Sequence, residues 1–236
     1  MSVACYINEF RPLAETFPGR NAIAQHALPA FIDASCRREP DLESEFPSIT
    51  ALCRAEHFAP QLREGDVVVY VTKEFDYPPG TERSRRIVAV LRILKSWLEH
   101  ANRRGLKAHE QAAQWYREHK LRLPSNCMVH PDGCCPLDQT DRYKANLEEW
   151  ERAYRLRAIE CGAFHACEPI FREVHNPPRL TTGQLHQWFG QIPNPRDQRP
   201  FPPEDFAKLL LWLAGQTPDD TEVKRLSKLA AKLTAA

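Results

Sequence analysis

The chain is predicted to be α+β, a small sheet in the N-terminal half followed by a mostly helical C-terminal half, and three observations predict it. Two β-branched runs, "DVVVYVT" and "RRIVAVLRI", lie close together between residues 66 and 95. The Pro-Pro-Gly turn at 78–80 separates them, so they pair antiparallel through a long hairpin loop. Beyond residue 105 the apolar residues recur mainly at helical spacing.

The elements follow in order. "SVACYINEF" alternates well enough for a strand. Residues 11–62 are punctuated by prolines and hold no sustained period, so they read as loops with one or two short helices. The strand at about 66–73 puts Val67, Val69, Val71 and Lys73 on one face and Val68, Tyr70, Thr72 and Glu74 on the other. Its partner at about 86–95 is apolar on both faces too. "LKAHEQAAQWYREHK" forms a helix with a stripe of Ala112, Trp115, Tyr116 and His119. "RYKANLEEWERAYRLRAIE" forms a longer one along Leu147, Trp150, Tyr154 and Arg157 or Ala158. "EPIFREV" reads as a returning strand. "PEDFAKLLLWLAG" buries Phe206, Leu209, Leu210 and Leu213 and stops at Gly215. The last helix starts with Thr217 as N-cap, Pro218 first and Asp220 third.

Composition narrows the class. Of 236 residues, 42% are apolar and 27% charged, ordinary for a globular protein. The start lacks the basic and apolar regions of a signal peptide, and no apolar run reaches the ~18 residues that cross a bilayer. A cytoplasmic protein with reduced cysteines and no membrane partner is expected. Twenty prolines against nine glycines indicate stiff connections. Net charge is +1, unevenly spread: residues 1–82 carry 7 Lys/Arg against 13 Asp/Glu, and residues 83–122 carry 11 against 3. Such a basic block is either the footprint of a polyanion or a solvated face.

"GDVVVY" followed by "RRIVAVLRI" resembles the PUA-like superfamily over about residues 60–130. Its ASCH, EVE and YTH branches are small β-barrels with flanking helices that bind nucleic acids or nucleosides. The resemblance implies a barrel domain over 1–135, with Pro-rich N-terminal loops, and a helical extension over 136–236 packed on it as one compact unit. The segments "IDASCRREPDLESEFPSITALC" and "LPSNCMV" are similar to bacterial and phage proteins called nucleotide-modification-associated. That similarity implies a role near modified DNA bases.

The chemistry of the residues frames the same expectation. A base pocket needs an aromatic face and polar groups at the base edge. Tyr70 and Trp97 are the stacking candidates, with Thr72, Ser125 and Asn126 for the edge. Arg83, Arg85, Arg86, Arg103, Arg104 and Lys107 are candidate phosphate ligands. Arg37 and Arg38 in "CRREP" form either a phosphate clamp or a surface ion-pair network. DNA is favoured over RNA as partner. The alternative is a hydrolase acting on a modified nucleoside. Some ASCH-type domains are amidohydrolases using a lysine, a threonine and a glutamate, and Thr72, Lys73 and Glu74 are consecutive here. On a strand these three alternate faces and converge only at a bulge. Cys127, His130, Cys134 and Cys161 offer irregular zinc spacing, against the plainer reading of buried thiols. No other cofactor is expected, and no phosphate-loop or dinucleotide motif is present.

Overall fold

The computed structural model describes residues 3–53, 57–99, 105–130, 141–190 and 200–234, with backbone alone for 141–145. Among these residues lie strands β1 (Cys5–Phe10), β2 (Ser48–Thr50), β3 (Val67–Thr72), β4 (Arg85–Leu98), β5 (Ala163–Arg172) and β6 (Arg179–Leu180). The helices are α1 (Phe17–His26), α2 (Lys107–Glu118), α3 (Asp141–Glu160), α4 (Thr182–Phe189), α5 (Pro203–Ala214) and α6 (Asp220–Thr234). The α+β class holds. The sheet is mixed and curled, a half-barrel in the order β1-β3-β4-β5-β2, with β6 paired to β4. No helix among the described residues is long and apolar enough to cross a membrane.

The chain divides into two compact units, each built from separated segments. The first takes Met1–Arg11, Gly65–Arg92 and Pro169–Ala236; the second takes Pro12–Glu64 and Ile93–Glu168.

In the first unit, Gly65 and Asp66 start the sheet. Gly65 turns at φ 93°, with nothing within 4 Å of where a Cβ would stand. Asp66 Oδ1 then accepts the Ala4 amide at 3.1 Å and ties β1 beside β3. Those strands run parallel, Cys5 opposite Val67 and Phe10 opposite Thr72. A parallel pair requires a long crossover, and residues 11–66 provide it. β3 and β4 form the expected antiparallel hairpin, with a register shift between Tyr70 and Val71. Ile7, Val67, Val69 and Val71 join Phe206, Leu209, Leu210 and Leu213 of α5 and Leu226, Leu229 and Leu233 of α6 in one core. Each such side chain stabilises the unit by about 1.5–3 kcal/mol.

Two helix starts differ from expectation. α4 was not anticipated; it carries a capping box between Thr181 and Gln184 and ends on Gly190 at φ 67°. α6 begins at Asp220, and its cap is Asp219 rather than Thr217. Asp219 Oδ1 accepts the Thr221 amide at 2.8 Å, and its carbonyl accepts the Val223 amide at 2.9 Å. A carboxylate also suits the positive end of the helix.

The second unit holds the Pro-punctuated stretch. Thr16 caps α1 by accepting the Gly19 amide at 2.9 Å. β2 runs antiparallel to β5, with Ile49 opposite His165. α2 buries Ala108, His109, Ala112, Ala113 and Tyr116 with Phe164 and Ala166 of β5. The expected stripe is therefore rotated: Trp115 is only half-buried and His119 is exposed. Three alanines bring the helix close around the buried Tyr116, and Trp115 and His119 go to its flank. On α3 the expected inward Trp150 is 37% exposed, whereas Ala158 is fully buried.

Candidate functional site

The base-pocket candidates fall in different units. In the first, Tyr70 is buried, edge-on to Phe10 at 6.0 Å. Thr72 ends β3, just past the register shift, and its Oγ1 accepts the Arg86 amide at 3.0 Å. There a hydroxyl takes the place of a ladder carbonyl. Lys73 and Glu74 follow the strand and are exposed, so the three proposed catalytic residues do not share one strand. In the second unit, Ser125 and Asn126 are buried, and Trp97 is half-buried.

Ser125 and Asn126 belong to a dense polar cluster in the second unit. Asn126 Nδ2 donates to Glu39 Oε2 at 3.0 Å and to the Ser48 carbonyl at 3.1 Å, while its Oδ1 accepts from Ser48 Oγ at 2.6 Å. Glu39 also accepts from the Thr50 amide at 2.8 Å and from the Thr50 hydroxyl. The Ser125 amide donates to Asp41 Oδ2 at 2.6 Å, and Arg122 Nη2 reaches both Asp41 oxygens at 3.1 Å. Asp33 Oδ1 accepts from the amides of Ser35 and Glu39 at 2.8 and 3.1 Å.

The two arginines of "CRREP" are structural in this cluster. Arg37 forks onto Glu151 at 2.7 and 2.6 Å, and its Nη1 donates to the carbonyls of Ser125 and His130 at 3.2 and 3.1 Å. Arg38 is 1% exposed, adopts φ 50°, and donates to the carbonyls of Asp33 and Ser35 at 2.9 and 3.3 Å. Its left-handed backbone is unfavourable for a non-glycine residue and is held by those bonds. Arg38 Nε also donates to Glu43 Oε2 at 3.3 Å, so the neighbouring run of acids supplies an ion-pair partner, and both arginines are engaged within the unit.

Burial sets the titration of the cluster. Desolvation pushes the Glu39 carboxyl up to about 8, against the Thr50 and Asn126 hydrogen bonds and with help from the Asp33 charge. Asp33 is raised by the same cause. The Cys53 thiol, on a residue exposed as a whole, is raised well above its ordinary value by desolvation and then by Asp33 and Glu39. A concentration of shifted groups is a mark of functional sites and also of structural networks.

A second arrangement in the same unit is half-exposed. Trp97 packs on Phe164 at 6.1 Å and on Trp115 at 5.8 Å, and Lys95 Nζ lies 5.6 Å from the Trp97 ring centroid. Trp115 in turn stacks against His119 at 4.4 Å and 34°. Lys95, Lys107, Arg117 and Lys120 are exposed. Trp97 is a stacking candidate from the sequence; Trp115 and His119, expected in the α2 stripe, lie at its flank beside the basic residues Arg117 and Lys120, and that basic neighbourhood was the available signal.

The other phosphate candidates are mostly engaged within the first unit. Arg85 pairs with Glu9, and its Nη1 also donates to the Thr72 carbonyl at 3.3 Å. Arg86 is buried and donates to the carbonyls of Pro177 and Tyr77 at 2.7 and 3.1 Å. Arg83 is exposed and donates to the Glu74 carbonyl at 2.8 Å. Arg103 and Arg104 lie outside the described residues, as does Cys134 of the proposed zinc set. Cys127 is buried, its thiol pushed up to about 11 chiefly by desolvation. Cys161 is half-buried, and the His130 amide donates to the Cys127 carbonyl at 2.9 Å. Among the described residues no group of three His, Cys, Asp or Glu is arranged to hold a metal.

Of two buried histidines, one has both ring nitrogens partnered, whereas the other, His109, has a buried Nε2 with no hydrogen-bond partner among the described residues. His165 contacts Ser96 Oγ through Nδ1 at 2.8 Å and the Ala59 carbonyl through Nε2 at 2.7 Å, and burial pushes it down to about 4. It is neutral, with Nε2 donating to the carbonyl. His109 is pushed down to about 3 by burial, and its Nδ1 accepts the Met128 amide at 3.2 Å. A separate groove of about 720 Å³ in the first unit is lined by Val67, Leu229 and Leu233 together with Arg92, Glu204 and Lys232. None of the base-pocket candidates lines it.

Comparison with family models, with curated proteins and with solved structures finds no match to this chain. The PUA-like and nucleotide-modification-associated resemblances therefore rest on the quoted segments alone.

Proposed function

We propose that the chain is a nucleic-acid-binding protein, with DNA the favoured partner, that stacks an unusual or modified base on the half-exposed rings of Trp97 and Trp115. The observation that carries this reading is Lys95 beside Trp97, with Trp115 and His119 adjoining: a stacking face and a cation stand together. The Asn126 side chain is buried and bonded to Glu39 and Ser48, and the Ser125 amide is bonded to Asp41, so this reading rests on the rings rather than on those two residues. A ring substituent that enlarges the base face would then be sensed through stacking. The test is a titration of single- and double-stranded DNA and RNA, with and without modified bases, across a salt series. Salt-sensitive binding with a preference for one modification supports the reading. Equal affinity for modified and plain strands removes the base-reading part, and no binding at low salt removes it all.

A second reading, an enzyme acting on a modified nucleoside, is favoured by Glu39. Burial pushes this carboxyl up to about 8, the range of a general acid, and hydrogen bonds from Thr50 and Asn126 fix its position. It predicts turnover of a small nucleoside without polynucleotide, lost in a folded Glu39→Gln variant.

A further inference from the structure

Resting on the nucleic-acid reading, we infer that the strand contacted by the Trp97–Trp115 surface is single-stranded, and that a duplex is a poor ligand. Both rings are anchored in their own unit by edge-on contacts: Trp97 with Phe164 at 6.1 Å, Trp115 with Tyr116 at 5.0 Å and with Phe46 at 5.7 Å. Side chains that wedge into a duplex project into it and part its base steps. Rings packed into their own unit do not, so the base must come to the ring. In a duplex the base faces are covered by their neighbours, and in a single strand they are available.

Charge points the same way. The exposed cations Lys107, Arg117 and Lys120 on and beside α2 are interleaved with the exposed acids Glu110 and Glu118. Arg122, also exposed, is engaged by Asp41. The field is too mixed to hold a duplex by phosphate contacts alone, so stacking must carry the affinity, and stacking requires an unpaired base.

The experiment uses the full chain and three labelled probes of about 12 nucleotides, within the site size of single-strand-binding surfaces. These are an oligothymidylate, its duplex with oligoadenylate, and an abasic strand of the same length. Roughly tenfold or greater preference for the oligothymidylate over both others is expected, with quenching of tryptophan emission. Trp97→Ala should weaken binding by roughly tenfold. The exposed Lys95→Ala and His119→Ala variants should each lose affinity severalfold while circular dichroism stays unchanged; they carry the test if Trp97→Ala does not fold. Duplex binding as tight as single-strand binding overturns this inference and leaves the nucleic-acid reading standing. Equal binding of the abasic strand shows that charge rather than the rings holds the ligand, and overturns it too. No binding of any probe at low salt overturns both.

Discussion

Glu39 receives three hydrogen bonds that favour its charged form, and burial outweighs them. The sign of the consequence is fixed. The folded chain keeps this proton up to about pH 8, whereas the unfolded chain releases it near 4.5. Stability is therefore full below the unfolded value, falls as pH rises between the two, and levels off above about 8. Glu39→Gln should flatten that fall in part, since Asp33 is shifted in the same direction. Urea unfolding at a series of pH values measures it, and an unchanged slope would show that Glu39 is ionised in the fold. Arg37 supports a separate prediction. Its partner Glu151 is 114 residues away and 27% accessible, so Arg37→Ala removes the donors of Glu151 and of the Ser125 and His130 carbonyls and should cost about 1–3 kcal/mol in the same assay. That separation is why "CRREP" signalled two arginines but not their purpose. A local run of acids beside them offered nearer partners, and only the folded chain brings in Glu151, Ser125 and His130.

Strands and helices were readable where a period was long and undiluted. The β-branched runs of β3 and the first half of β4, apolar on both faces, are buried on both, and the leucines of α5 largely repeat on one buried face. β2 has three residues, too few for any period, and α4 has eight, with Gly183 near its start. The parallel pairing of β1 with β3 was hidden by the long crossover between them. On α2 the pattern gave the correct helix and a rotated face, since alanine's small size rather than its hydrophobicity selects the contact side. Two substitutions test these assignments. Leu210→Ala should cost about 2–5 kcal/mol by opening a cavity between the sheet and α6. Asp219→Ala should cost about 0.5–2 kcal/mol as a lost cap, and more than Thr217→Ala. The reverse order would return the helix start to Thr217.

Over the chain as a whole the charge nearly cancels, so binding to a polyanion depends on which cations reach solvent rather than on how many there are. Among the described residues of the basic block 83–122, some cations are engaged by internal partners on folding. Arg85 is spent on Glu9, Arg86 on the carbonyls of Tyr77 and Pro177, and Arg122 on Asp41. Desolvation further lowers the pKa of the Arg86 guanidinium, as does the nearby charge of Arg179. Lys95 and Lys120 are exposed. Phosphate contacts on a single strand contribute about −0.7 each to the slope of log affinity against log salt. Lys95→Ala with Lys120→Ala should therefore make that slope shallower by up to about 1.4, with little change in stability. Arg85→Ala with Arg86→Ala should do the opposite: the slope holds, and the unfolding midpoint drops because Glu9 and the Tyr77 and Pro177 carbonyls lose their donors. If the second pair instead flattens the salt dependence and leaves the midpoint alone, those two arginines face the polyanion, and the binding surface belongs on β4's first half rather than at Trp97.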